Sequence, residues 1–396
     1  MKRSLFVLAA VVALGTGCSD DDGDDGNNNN DNVAPPDLTA VTYNGGLARG
    51  FVDYADERAQ DVSDVIAGLD VDVVCVQEIW QPEHVDMLAA AAQTTLPNQI
   101  FLDPMPEVNP EVACSADATE VQALEACART NCDTVPSEEL DNCVLTACIV
   151  EFGMVTPACS ACMASNIGED ATIDSIFDAC TQPSQVYAYG GAFGIGILTR
   201  ESITTSDSSV FASTFNRRAV IHAEMETEAL GTVHVFCTHL TAIFSSIPWP
   251  KPTGSWQEEQ LLQITEMRDY IDEKAGTEGT VILMGDFNTG PGGSGWVAEY
   301  ETNYNALAEG FSSAFVDSPG AACTYCDLNP LNGGVDHDAS VLIDHILYRN
   351  FTGTTDATRI LESPLTVTVD GTPVHTAYSD HYGVEATFTP DPPAQD

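Results

Sequence analysis

Short, almost wholly apolar runs that close on polar residues recur along this chain, and they predict its fold. Leu38–Asn44 is β-prone, and Val71–Gln77 is nearly continuously apolar, as a strand buried on both faces would be. Runs of the same character follow at Gly194–Leu198, Val220–Met225, Val233–Thr238, Val281–Met284, Val341–Tyr348 and Tyr382–Phe388. Two stretches read as helices. One covers about Tyr54 to Gly68; the other, Ser255–Glu273, has Leu261, Leu262, Ile264, Met267 and Ile271 as its apolar side. Strands alternating with helices and hairpins predict an α/β protein built on mixed sheets.

Two regions break the pattern. Ser19–Pro36 is Asp, Gly and Asn with almost nothing apolar, which predicts a flexible tether. Its run Asp20–Asp25 is read as a solvated acidic linker. Between Cys114 and Cys180 lie eight of the 13 cysteines, Cys114, Cys127, Cys132, Cys143, Cys148, Cys159, Cys162 and Cys180, with Arg129 as the only basic residue. An even cluster in an oxidising compartment predicts a disulfide-stapled, mostly helical insertion whose pairing the sequence does not choose. Zinc at Cys159-x-x-Cys162 is the weaker alternative, since the segment lacks His. Cys323 and Cys326 predict a loop disulfide. Cys75 and Cys237, inside apolar strands, read as buried thiols that would pair only if those strands are neighbours.

The first residues, Met1-Lys2-Arg3, an apolar run Leu5–Leu14 and Gly15-Thr16-Gly17, have the layout of a signal peptide over residues 1–17. The apolar run is too short for a membrane-spanning helix. Cys18 after Thr16-Gly17 resembles the lipobox of bacterial lipoproteins, which implies an acylated anchor. Ser19 resembles the outer-membrane sorting preference, with plain secretion as the alternative. Residues 18–36 are then the tether, 37–390 one large domain interrupted by the insertion at 114–180, and 391–396 a tail. With 44% hydrophobic residues the chain has the composition of a packed domain. Its net charge of −47, from 60 acidic and 13 basic residues, disfavours nucleic acid as a partner, because that affinity comes largely from Lys and Arg.

The chemistry sits where strands end. Asn44, Glu78, His239, Asp286 and Asn288 each terminate an apolar run, and Ser379-Asp380-His381 precedes the last one. Carboxylates and amide oxygens are the ligands Mg²⁺ prefers, and histidines can move a proton or steady a phosphate's charge. The ordered set Thr42-Tyr43-Asn44, Val76-Gln77-Glu78, Thr238-His239-Leu240, Gly285-Asp286-Phe287-Asn288, Ile343-Asp344-His345-Ile346-Leu347 and Ser379-Asp380-His381 resembles the endonuclease/exonuclease/phosphatase superfamily. This is the fold of deoxyribonuclease I and the neutral sphingomyelinases.

The resemblance implies two packed mixed β-sheets flanked by helices, a four-layer sandwich, outside the Cys-rich insertion. It implies a Mg²⁺-dependent phosphodiesterase, with Mn²⁺ or Co²⁺ as substitutes. Glu78 would be the main metal ligand with Asn44 beside it, and Asp380 would assist. Asp286 and Asn288 would bind and orient the water and phosphate around the metal. His381 would accept the water's proton, Asp344 would orient His381, and His239 would bond a phosphoryl oxygen. Ser379–Val384, Gly190–Arg200 and Glu78-Ile79-Trp80 are similar to the sphingomyelinase branch, which implies a phospholipid substrate and phospholipase-C-like chemistry. Asn216-Arg217-Arg218-Ala219 departs from that branch, standing where a Lys-Gly pair is typical. After His239, Phe244, Ile247, Trp249 and Trp256 either enter a lipid interface or pack on the domain. The other histidines, His84, His222, His234, His337, His345 and His375, are read as structural or surface residues, and the chain as a monomer. Two alternatives remain: a secreted nuclease using Arg217, Arg218 and Lys251, and a non-catalytic surface-binding protein whose insertion does the recognition.

Overall fold

The strands predicted to be buried on both faces form the centres of two six-stranded sheets in a computed structural model of the chain. It describes residues 36–135, 140–166, 171–243, 249–251, 253–335 and 338–392. Residues 1–17, expected to be a signal peptide, Cys18, nearly all of the expected tether, Phe244, Ile247, His337 and the last four residues lie outside the described residues.

The first sheet runs, edge to edge, Gly353–Ile360, Gly383–Pro390, Leu38–Asn44, Val73–Gln77, Gly196–Thr199 and Asn98–Phe101. The second runs Ser312–Ser313, Asp344–Arg349, Thr280–Asp286, Gly231–His239, Arg218–Thr227 and Ser202–Phe211. Each has one parallel pair among antiparallel ones, and both parallel pairs end on site residues. Asn44 lies opposite Gln77 in one, and Asp286 opposite His239 in the other. Antiparallel pairing then sets Asp344 across from Asp286. Register thus gathers Asn44 and Gln77 at one end of the first sheet, and His239, Asp286 and Asp344 at one end of the second.

The facing sheets enclose a core that includes Ile197, Val235, Ile282, Met284, Ile346 and Phe388, all essentially inaccessible to solvent. Helices Ala55–Ala67 and Pro82–Ala92 cover the outer side of the first sheet through Ala59, Val62, Ile66 and Leu88. Helices Trp256–Ala275 and Glu301–Ala308 cover the second through Ile264, Met267, Ile271 and Leu307. Each of the Val, Leu, Ile and Met side chains contributes about 1.5–3 kcal/mol on burial. The predicted four-layer sandwich is therefore present. The longest of these helices starts at Ser255, whose hydroxyl accepts from the Glu258 N–H, with Glu258 and Glu259 in its first turn and Lys274 in its last. Leu261 and Leu262, expected on its apolar side, are 36% and 47% exposed instead. Gln260 and Gln263 take the buried face because they bond to loop groups beneath the helix.

The insertion leaves and rejoins the sandwich through a two-stranded stem, Val108–Asn109 against Ser184–Gln185. Helices Thr119–Asn131, Leu140–Ala147, Ile149–Phe152, Pro157–Ser165 and Ile173–Cys180 follow within it, around a separate apolar core. Its cysteines pair as Cys114–Cys159, Cys127–Cys148, Cys132–Cys143 and Cys162–Cys180. Cys159 and Cys162 thus belong to different disulfides, which removes the zinc alternative. Cys323–Cys326 is a loop disulfide as predicted.

Cys75 and Cys237 correct the expectation of free thiols. They are bonded to each other, with Cα atoms 5.4 Å apart, and not along one sheet but across the core from one sheet to the other. Six disulfides among the described residues fit an exported protein. No described helix is long and apolar enough to cross a membrane.

Candidate active site

At the shared edge of the sheets lies a cleft of about 390 Å³, lined among others by Glu78, His239, Asp286, Asn288, Asp380 and His381. Asn44 and Asp344, both fully buried, support it from below. All eight residues predicted for the site are therefore brought together.

Asp286 is the hub. Its Oδ2 accepts from Asn44 Nδ2 at 2.9 Å, and Oδ1 accepts from the Asn288 backbone N–H at 2.9 Å. His239 Nε2 stands 3.5 Å and His381 Nε2 3.9 Å from Oδ2. Glu78 Oε1 is 3.9 Å from His239 Nε2 on the other side. Behind His381, Nδ1 donates to Asp344 Oδ2 at 2.9 Å, which leaves Nε2 facing the cleft with its lone pair when the ring is neutral.

Backbone geometry aims these groups. Glu78 and Asn288 hold φ of 59° and 50°, the left-handed region that side chains with a β-carbon seldom adopt. At Glu78 this turns the carboxylate off the end of its strand and into the cleft. Asn288 accommodates the same bend more readily, and its Nδ2 donates to Leu240 O at 3.1 Å. Gly46, at φ 57°, is required by close approach: a β-carbon there would lie 2.3 Å from Asp380 Oδ1. Buried Arg58 fastens this corner, donating to Gly45 O, Gly46 O and Tyr378 O.

The electrostatics follow from burying acids together. Burial first, then the Asp380 and Asp286 carboxylates, raises Glu78 to about 7. Burial and Asp344 raise Asp286 to about 7 as well. His239 is pushed well below its ordinary value by burial, with Arg218 and His381 adding to the effect, so it stays neutral. Burial also works against a charged His381, but Asp344, Asp380 and Asp286 outweigh it and hold that ring well above its ordinary value. A cluster of mutually repelling oxygens is the donor set a hard cation takes. Asp286, Asp344 and His381 have ligand atoms within 4.8 Å of one another. Glu78, Asp286, Asn288 and Asp380 line the cleft and offer oxygens to a cation there, whereas Asp344 lies beneath it, bonded to His381.

Arg218 is the participant that sequence reasoning did not place here. The sequence offered it as a basic-groove candidate and as part of the Asn216–Ala219 departure from the sphingomyelinase branch; it is 4% exposed and lines the cleft beside Trp80, 5.7 Å from that ring. Its buried Nη1 has no protein partner. Burial lowers it to about 10, which still leaves it charged at neutral pH. The one cue was its position two residues before the apolar run Val220–Met225; in the structure it is the first residue of that strand. Its neighbour Arg217 turns away to Met105 O, Glu107 and the Tyr187 ring, and Lys251 pairs with Glu259, so the three cations form no groove.

Other expectations are resolved around the cleft. Trp256 is 5% exposed, clustered with Phe215 and Ala164, and Trp249 lies edge-on against it, so these rings pack on the domain. His84 bonds Asp56, His345 bonds Thr289 O and His222 and His234 pair, while exposed His375 meets Thr366, so these fall among structural or surface residues as expected.

The sequence matches the endonuclease/exonuclease/phosphatase family over residues 41–381. The chain belongs to that family, whose members hydrolyse phosphoesters. No curated protein sequence matched it. Among solved structures, the Staphylococcus aureus beta toxin with bound magnesium ions is similar at 15% identity and a TM-score of 0.55, covering 89% of this chain and 99% of that one. Sphingomyelinase C from Streptomyces griseocarneus is similar at 19% identity and a TM-score of 0.54, with the same coverage. SmcL is similar at 14% identity and a TM-score of 0.53, again with 89% and 99% covered. At these identities the likeness speaks for the fold.

Proposed function

We propose that this protein is a Mg²⁺-dependent phosphodiesterase of phospholipase-C type, acting on sphingomyelin or a related phospholipid. The observation that carries the reading is the two-sided cleft. Its floor is Glu78, Asp286, Asn288 and Arg218; its wall is Phe51, Val52, Phe215 and Ile243. A charged floor under an apolar wall suits a phosphodiester joined to a hydrocarbon. It suits a nucleic acid poorly, as does a net charge of −47.

Glu78, with Asp286, Asn288 and Asp380, would hold the Mg²⁺, or Mn²⁺ or Co²⁺ in its place. A bound cation would supply Lewis acidity toward a phosphoryl oxygen and offset the acidic field around His381. His381 Nε2 takes a proton from the attacking water while Asp344 fixes the ring at Nδ1. As the P–O bond to the leaving alcohol breaks, His239 Nε2–H and the Arg218 guanidinium, both residues lining the cleft, would stabilise the charge growing on the phosphoryl oxygens. The leaving alkoxide takes a proton from solvent water and His381 returns its own to solvent, so that the products are the alcohol and a phosphomonoester.

The lipobox-like Cys18 and its tether would keep the enzyme at an outer membrane. Release of Cys18→Ala from the membrane fraction checks that arm. The substrate is tested by incubating the protein with sphingomyelin vesicles, phosphatidylcholine vesicles and plasmid DNA, with Mg²⁺ and with EDTA. Phosphocholine release that EDTA stops supports the proposal. Nicked plasmid with intact lipids would move the same residues to the nuclease reading, and no turnover of any of them would favour the surface-binding one.

A further inference from the structure

The helical insertion holds a second cavity, of about 60 Å³, lined by twelve side chains that are all apolar. By a measure in which one water needs about 10–15 Å³, that space takes several methylene-sized groups. Leu124 and Ala128, Phe152, and Ile176 and Phe177 reach it from three different helices. An apolar void destabilises the core around it and draws in apolar ligands. Here Cys127–Cys148, Cys132–Cys143 and Cys162–Cys180 tie those helices in place.

Phe51 joins this cavity to the active site. It belongs to the sandwich, is 38% exposed, and lines both the cavity and the cleft. Its ring meets Phe215 edge-on at 6.0 Å, and Phe215 in turn clusters with Ala164 of the insertion. An apolar track therefore runs from the wall of the phosphate-binding cleft to a dry pocket between disulfide-tied helices. One occupant has that polarity along its length: a phosphodiester followed by a hydrocarbon chain.

We propose that the Cys114–Cys180 insertion is a chain-binding module, receiving one hydrocarbon chain of the phospholipid past Phe51 while the phosphodiester sits over Glu78 and Asp286. This rests on the lipid reading above. It gives the insertion a role as a reader of chain length, with the cleft reading only the phosphodiester.

The test is calorimetric titration of the full chain, in EDTA to prevent turnover, with hexyl-, octyl-, decyl- and dodecylphosphocholine below their micellar concentrations. Wild type is expected to bind about fourfold more tightly per added methylene until the cavity is full. Ala128→Trp, which fills the cavity, and Leu145→Trp, at its rim, are expected to lose that dependence yet keep wild-type turnover of chainless glycerophosphocholine. A photoreactive diazirine at the end of dodecylphosphocholine gives a readout independent of either variant folding: its adducts should map to residues 119–180. Equal chain dependence in all three proteins, or adducts elsewhere, overturns the inference. Chain-dependent binding without lipid hydrolysis would leave the module standing and remove the enzymatic reading; lipid hydrolysis without chain dependence would do the reverse.

Discussion

Glu78 carries two costs at once, a left-handed backbone and a carboxylate buried beside other carboxylates. Its value is raised in the folded protein, so its contribution to stability is present below the unfolded value of about 4.3 and is lost as pH rises through about 7. Glu78→Gln is accordingly expected to stabilise the metal-free protein at pH 8. With 18% of the side chain still exposed and solvent screening part of the repulsion, the gain should be about 1–2 kcal/mol in urea melts, vanishing near pH 4.5. Mg²⁺ should raise the wild-type Tm more at pH 8 than at pH 5.5, where protons compete for the same oxygens, and should leave Glu78→Gln nearly unmoved. Arg218→Ala should lower kcat about 10²–10³-fold, as expected for removing a transition-state donor, with Arg218→Lys recovering part of the loss in steady-state assays.

At the scale of elements, the site depends on a loop that bonds two strand starts together. Thr324, between the paired Cys323 and Cys326, accepts at its Oγ1 from the backbone N–H of both Ile343 and Asp344 at 3.1 Å, and Tyr325 packs edge-on against His381. Thr324→Val keeps the shape and leaves two buried donors unbonded. It should cost about 1–3 kcal/mol in denaturant melts and reduce kcat, because Asp344 then no longer fixes His381. How far this was legible in sequence differs by element. Val73–Gln77 and Thr280–Asp286 stood out because both their faces are buried, and their polar last residues pointed to the cleft. Edge strand Ser202–Phe211 did not, since most of its Ser, Thr and Asp side chains face solvent, and a half-exposed edge leaves no apolar signature. Gly353–Ile360, the opposite kind of edge, was hidden for the same reason. The Glu78 turn and the burial of Arg218 beside the cleft are consequences of tertiary packing, so local pattern carried no sign of them.

For the molecule as a whole, one covalent bond spans the sandwich. Cys75–Cys237 closes a separation of 162 residues between strands of opposite sheets directly beneath the cleft. Replacing both by Ala should cost about 2–4 kcal/mol in equilibrium unfolding, with activity retained at low temperature, since neither sulfur reaches the site. The proposed phospholipid substrate and the catalytic assignment are tested together. The decisive measurement is Mg²⁺-supported release of phosphocholine from sphingomyelin vesicles by wild type, Glu78→Gln and His381→Ala, each confirmed folded by circular dichroism. The account predicts release by wild type that EDTA abolishes, and a loss of at least about 10²-fold in both variants. Undiminished release by folded His381→Ala would contradict it.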